Sequence, residues 1–403
     1  LQFRVSRRFA WGFFWAVLGI SSVSFLLAVW FAARDEALRG GIGREFRLER
    51  GPWGPIVARN ILLKPAAEIF DPDFRLGDGR WYFEKASPSA IAGLLRDCGL
   101  KELQIAAILP TLRPASDALG LDSAQPPAAI LVELDSEVRS RLYSRLARTE
   151  ANFAQCQPFR IAASHLEEWL ADLNYDPGLR SQVEKLLWRS GDTILFSDYN
   201  FVADTLREPE QRVELQRALS RKVSLRAWLD VPAGGDVEGW IGYWSDKWGG
   251  ENLRTILESA ASSGGARIGM IELLPPFARR HLDRFPSPSL LAENPPACHW
   301  STFNFFVEGE PDAAFHTVEG VEGELRKNFT RVVGAPRYGD VVTLDEPDRS
   351  SIHSAVYIAD DIVFTKNGPS AATPWVLSTI AEMKAFYPGW KPLSVSFYRR
   401  RGL

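Results

Sequence analysis

The strongest pattern in the chain is a long apolar stretch with no charged break. Residues 9–33, FAWGFFWAVLGISSVSFLLAVWFAA, carry no charge over 25 positions. About 20 apolar residues cross a bilayer as a helix, so this run predicts a transmembrane anchor. Arg4, Arg7 and Arg8 precede it and Arg34 follows. The positive-inside bias then leaves a short N-terminus in the cytoplasm and the bulk of the chain outside, periplasmic or extracellular. A cleaved signal peptide wants a shorter apolar core and small residues at its cleavage site. Trp30 and Phe31 stand where those would be, so the run reads as an uncleaved signal anchor of a single-pass protein.

Residues 34–86 lack sustained apolar periodicity and read as a juxtamembrane segment. Within them Asp78-Gly79 predicts a short hairpin. Residues 87–285 alternate two periods. SAIAGLLRDCGL, HLEEWLADL and GLRSQVEKLLW have helical spacing, as do Val138, Leu142 and Leu146 in DSEVRSRLYSRLARTEANF. AAILVEL, DTILFS, SLRAWLDV and RIGMIELL read as strands. The segment is a helix-rich mixed domain whose sheet order the pattern does not give. Trp240, Trp244 and Trp248 fall four apart, which reads first as a core stripe, with a stacking groove as the functional alternative. The Pro- and Ser-rich stretch FPSPSLLAENPPA marks a domain boundary near residue 286. Residues 286–403 then give a helix start at Pro295-Pro296, strand-like runs GDVVTLDEP, SIHSAVYIAD and DIVFTKN, a helix PWVLSTIAEMKAF with Pro374 at its first position, and a final strand PLSVSFY.

Composition narrows the function classes. The 403 residues are 46% hydrophobic and 24% charged with a net charge of −3, so the chain is globular and lacks the basic footprint of a nucleic-acid binder. There are three cysteines. In an oxidising compartment Cys98 and Cys156 are candidates for a disulfide, which leaves Cys298 as the odd thiol. No Cys/His spacing suggests a metal site, and no motif calls for a cofactor.

Cys298 follows two prolines and opens a helical run whose face is Trp300, Phe303, Phe306 and Val307. In a first turn, free N–H groups and the helix dipole favour the thiolate, which is the nucleophilic form. A thiol nucleophile needs a base, and His353 opens the alternating run His-Ser-Ala-Val-Tyr. Asn367, ending the next strand-like run, is a candidate for fixing the imidazole tautomer. His299 is adjacent to Cys298 and is read as a cleft-wall residue. Lys366 and Arg399-Arg400-Arg401 are read as solvated ends.

The order Cys298, Gly339-Asp340-Val341-Val342, His353-Ser354-Ala355-Val356-Tyr357 resembles the NlpC-type branch of the papain-like cysteine peptidases and amidases, over about residues 290–403. The chain departs from that family's Asp-Cys-Ser-Gly, with Ala297-Cys298-His299-Trp300 in its place. The resemblance implies an α+β fold in which a helix packs on a small antiparallel sheet, with Cys298 as nucleophile, His353 as base and Asn367 as third residue. It also implies a hydrolase acting on an amide bond in a cell-wall peptide. The alternatives are a degenerate papain-like module in an envelope scaffold, with residues 87–285 meeting an envelope protein partner, and a thiol acyltransferase or amidase acting on lipid.

Overall fold

The computed structural model describes residues 42–114, 120–235, 237–245, 250–291, 294–348, 351–387 and 393–402. The run at 9–33, and the anchor expected of it, lie outside these. Among the described residues no helix is long and apolar enough to cross a membrane. The fold is α+β with antiparallel sheets.

In chain order the strands are β1 (Glu45–Arg47), β2 (Ile56–Leu63), β3 (Trp81–Phe83), β4 (Asp122–Ala124), β5 (Phe159–Ala162), β6 (Leu187–Ser190), β7 (Thr193–Phe196), β8 (Lys222–Pro232), β9 (Gly265–Gly269), β10 (Phe329–Arg331), β11 (Val341–Asp345), β12 (Ser351–Ala359), β13 (Ile362–Lys366), β14 (Trp375–Thr379) and β15 (Ser394–Arg400). They form sheets of order β1-β2-β8-β9, β5-β7-β6 and β10-β15-β11-β12-β13-β14, with β3 and β4 as a separate pair. The helices that matter below are α1 (Ala128–Glu133), α2 (Ser136–Leu146), α3 (Val237–Ser245), α4 (Gly250–Ser262), α5 (Met270–Leu273), α6 (Cys298–Phe303) and α7 (Ile380–Ala385).

The expected boundary near residue 286 is not a break in the core. One buried cluster joins Ile56 of β2, Leu225, Ala227 and Leu229 of β8, and Trp240 and Trp244 of α3 to Trp300, Phe305, Val356, Phe364 and Trp375. Trp240 and Trp244 are thus core residues; Trp248 lies outside the described residues. The backbone also crosses the boundary. Asp283 N donates to Trp375 O at 2.8 Å and Trp375 N to Arg284 O at 3.1 Å, so the edge of β14 is held by the segment before residue 286. Residues 56–63, expected to be juxtamembrane, supply a central strand. Its eight residues pair with β8 from Ile56↔Leu229 to Leu63↔Lys222.

A second lobe, about residues 70–220, has two cores of its own, one around Trp169, Phe196 and Tyr199, the other around Trp81, Leu142 and Trp188. A buried ion pair fixes it: Arg139 Nη1 lies 2.6 Å from Asp198 Oδ2, and Tyr143 donates to Asp198 Oδ1 at 2.7 Å.

Four local expectations are corrected. AAILVEL is helix α1, because its buried residues, Ile130 and Leu134, are four apart rather than alternating. RIGMIELL splits into the end of β9 and helix α5. The Asp78-Gly79 turn closes no hairpin, and β3 pairs instead with β4. PWVLSTIAEMKAF begins as a strand, not a helix. All five residues of β14 are buried, so both of its faces are covered and its apolar run is continuous, a pattern that cannot be told from a buried helix by period. The helix starts only at Ile380, after its N-cap Thr379, whose side chain accepts from Glu382 N in a capping box.

Candidate active site

The α6 helix is placed by its flanks. Ala297, after Pro295 and Pro296, is its N-cap in extended conformation, and Cys298 is its first residue. The helix lies on β12 and β13. Ser354 Oγ donates to Thr302 Oγ1 at 3.0 Å, and Trp375 Nε1 donates to Ser301 Oγ at 2.8 Å. The sheet beneath is anchored by the Gly339-Asp340 turn. Gly339 has φ +82, which only glycine adopts without strain, and its N–H donates to Tyr357 O. The fully buried Asp340 takes two hydrogen bonds from Arg399, at 2.9 and 2.6 Å. Arg399 is therefore a structural partner and not part of a solvated end.

Side chains of a strand alternate between faces. On β12, Ser354, Val356 and Ile358 face α6, whereas His353, Ala355 and Tyr357 face α7 with Leu344 and Met383. On β13, Phe364 faces α6, and so does Lys366 two positions on. Thr365 faces the other side.

Cys298 is 7% exposed. Burial pushes its thiol pKa up. Against burial work the backbone N–H groups of Ser354, His299 and Cys298 and the ammonium of Lys366, all of which favour the thiolate. Cys298 is thus a first-turn residue of α6, as the two prolines suggested. Lys366, read from sequence as an exposed strand end, is fully buried. Its Nζ donates to Gly368 O at 2.7 Å and Ser370 O at 3.1 Å and lies over the Trp375 ring. Burial pushes its pKa down to about 7, with Cys298 acting in the opposite direction.

His353 is fully buried and both ring nitrogens are engaged. Nε2 is 2.8 Å from Thr365 Oγ1, and Nδ1 is 2.7 Å from the Tyr387 hydroxyl. Thr365 Oγ1 directs its own proton toward Ser354 O at 3.5 Å. The network thus assigns the imidazole proton to Nε2 and leaves Nδ1 as the basic nitrogen, accepting from Tyr387. Burial, with a smaller contribution from His299, pushes the His353 pKa down to about 3, so the ring is neutral at ordinary pH. Cys298 and His353 come from neighbouring elements but are not hydrogen-bonded to each other. Tyr387 stands in relation to both: it holds the imidazole, and a charge on Cys298 would raise its own pKa, as burial does more strongly.

Asn367 does not orient the imidazole. It follows β13, its Oδ1 is buried without a hydrogen-bond partner, and it lines a cavity between the two lobes. Thr365, two residues earlier, does the work expected of it, because it is the β13 residue that alternates onto the His353 face.

His299 is not turned away from the site as helical adjacency suggested. Its Nδ1 is 2.8 Å from Ser354 Oγ, the residue whose N–H meets Cys298. Burial lowers its pKa, partly offset by the Ser351 carbonyl. The other histidines of this region pack: His316 stacks on Trp300 and His281 lies between Phe277 and Trp375. Cys98 and Cys156 are free thiols. Cys98 sits in a lobe core, and Cys156 donates to the carbonyls of Ala147 and Thr149.

The residues missed in sequence were Tyr387, Thr365 and Lys366. Alternation from His353 across the next strand could have found Thr365 and Lys366; nothing local marks Tyr387. The chain matches no family model, no curated protein and no solved structure at a significant level.

Proposed function

We propose that the chain is a thiol hydrolase of papain-like design, with Cys298 as nucleophile and His353 as base, acting on an amide bond. The observation that carries this reading is the setting of the thiol: a buried cysteine that opens helix α6, its ionisation favoured by the backbone N–H groups of Ser354, His299 and Cys298 and by the ammonium of Lys366, with a neutral, oriented imidazole on the residue of β12 next to Ser354. These groups favour negative charge on the sulfur, which an inert buried cysteine does not need.

His353 points to the α7 face and Cys298 lies on the α6 face, so in the proposed sequence the Tyr387 hydroxyl leaves Nδ1, the imidazole swings round the start of β12 toward α6, and Nδ1 takes the Cys298 proton. The thiolate attacks the amide carbonyl carbon, and N–H groups at the start of α6 receive the developing oxyanion. The tetrahedral species collapses to a thioester as the amine leaves with the proton from His353. Water, deprotonated by the same nitrogen, then releases the acid and restores the thiol. The substrate class follows from the family resemblance: a cell-envelope peptide containing D-amino acids, met outside the membrane by a chain anchored through residues 9–33.

The test is hydrolysis of short acyl-peptides with L- and D-residues, followed by release of new amines. The wild type should cleave at least one, and Cys298→Ala and His353→Ala should each lose activity by about a hundredfold or more. Wild-type activity that survives Cys298→Ala would refute the assignment.

A second reading, a non-catalytic binding module, is favoured by one observation: both His353 nitrogens are already bonded. It expects no turnover by the wild type and no change in ligand binding on Cys298→Ala.

A further inference from the structure

Between the two lobes lies a cavity of about 390 Å³. One wall is β5 and the turn after it, through His165, with Lys222 at the start of β8. The other is β14 and α7, with Asn367, Ser378, Glu382 and Phe386. Its size is in the range of small-molecule sites, and most of its lining is apolar.

Three polar groups on its walls lack protein partners. His165 is fully buried, and neither ring nitrogen is hydrogen-bonded; Glu382 Oε1 is 3.9 Å from Nε2, beyond hydrogen-bond reach. Asn367 Oδ1 is buried without a donor. Lys222 has neither a hydrogen bond nor a carboxylate within ion-pair reach among the described residues; its Nζ lies 6.0 Å from the Phe386 ring centroid. Arg160 adds a buried positive charge, its donors directed to the carbonyls of Pro158, Cys156 and Phe386 rather than to an acid. Burial and the neighbouring Arg160 push the Lys222 pKa down to about 8, as expected of an ammonium without a counter-charge. Buried polar groups in native proteins are normally paired. Two buried unpaired groups, Asn367 Oδ1 and the His165 ring, and the half-buried Lys222 without a counter-charge line one cavity and define what would complete them: a donor for Asn367 Oδ1, a donor–acceptor partner for His165, and an anion for Lys222.

We propose that this cavity is a binding site for a small N-acylated amino acid or short peptide with a free carboxylate. The carboxylate pairs with Lys222, the amide N–H donates to Asn367 Oδ1, the amide carbonyl accepts from His165, and an apolar side chain lies against Val376 and Phe386. The site lies apart from Cys298, across the six-stranded sheet, and the proposal does not rest on thiol chemistry.

Calorimetric titration of the Cys298→Ala full chain keeps the two questions separate. The probes are N-acetylleucine, its neutral amide N-acetylleucinamide, and inorganic phosphate. N-acetylleucine should bind one-to-one, at least tenfold more tightly than the amide. Lys222→Met should abolish that preference, and Ala381→Phe, at the exposed rim of the cavity, should weaken N-acetylleucine at least tenfold with the fold unchanged by circular dichroism. Equal binding of acid and amide, binding of phosphate alone, binding unaffected by Ala381→Phe, or no binding would each overturn the proposal.

Discussion

Replacing Tyr387 with Phe removes one hydroxyl and leaves the ring. In the wild type that hydroxyl is 2.7 Å from His353 Nδ1, and the imidazole has no exposure to water. Nδ1 therefore has nothing to replace the lost donor. Leaving a buried acceptor unsatisfied costs about 1–3 kcal/mol. The same bond favours the neutral ring, because it is donated to the lone pair a proton would take. Its loss should raise the His353 pKa, now pushed down to about 3 by burial. At about 1.4 kcal/mol per pH unit, the rise is about one to two units. Two readouts follow: urea unfolding, which should show the stability loss, and an NMR titration of the His353 ring, which should show the upward shift. The freed nitrogen should also speed alkylation of Cys298. An unchanged His353 titration together with unchanged stability would refute the tautomer assignment and the place given to Tyr387.

Lys366→Met tests the charge beside the thiol. It should slow alkylation of Cys298 at neutral pH several-fold, since the ammonium favours the thiolate. It should also change the pH dependence of stability. Burial holds the folded pKa of Lys366 at about 7, against about 10.4 when unfolded. Between those values the unfolded chain binds the extra proton, so this residue makes stability rise with pH from about 7 to about 10. Lys366→Met should remove that part of the slope in a series of denaturant titrations. In the other lobe, Arg139→Ala leaves Asp198 buried and unpaired and should cost about 3–5 kcal/mol, whereas Arg139→Met with Asp198→Leu should recover most of it.

Strands with a clean period were legible. SLRAWLDV, DTILFS, SIHSAVYIAD and PLSVSFY are strands because alternating or continuous burial marks them. Runs buried on both faces or only briefly periodic were not, which is why AAILVEL and PWVLSTIAEMKAF changed type. The core shared across residue 286 was not legible for a different reason. Proline-rich composition marks a connection, but it does not say whether the cores on either side merge, and here Trp240 and Phe364 share one. At the site, the start of α6 and the presence of His353 were readable from local sequence. The face on which His353 points is contained in the period of two. It puts Thr365, not Asn367, beside the imidazole and buries Lys366 beside Cys298. Tyr387 reaches His353 from beyond the end of α7, a long-range contact that no local pattern announces.

The central claim is that Cys298 and His353 act together. The direct measurement is the rate of iodoacetamide alkylation at Cys298, followed by peptide mass spectrometry across pH 5–9, in wild type and His353→Ala. Acting together, the pair should make the wild-type thiol react about tenfold or more faster at neutral pH, with His353→Ala moving the reactive limb toward the higher pH of an isolated buried thiol. Identical profiles for the two proteins would contradict it.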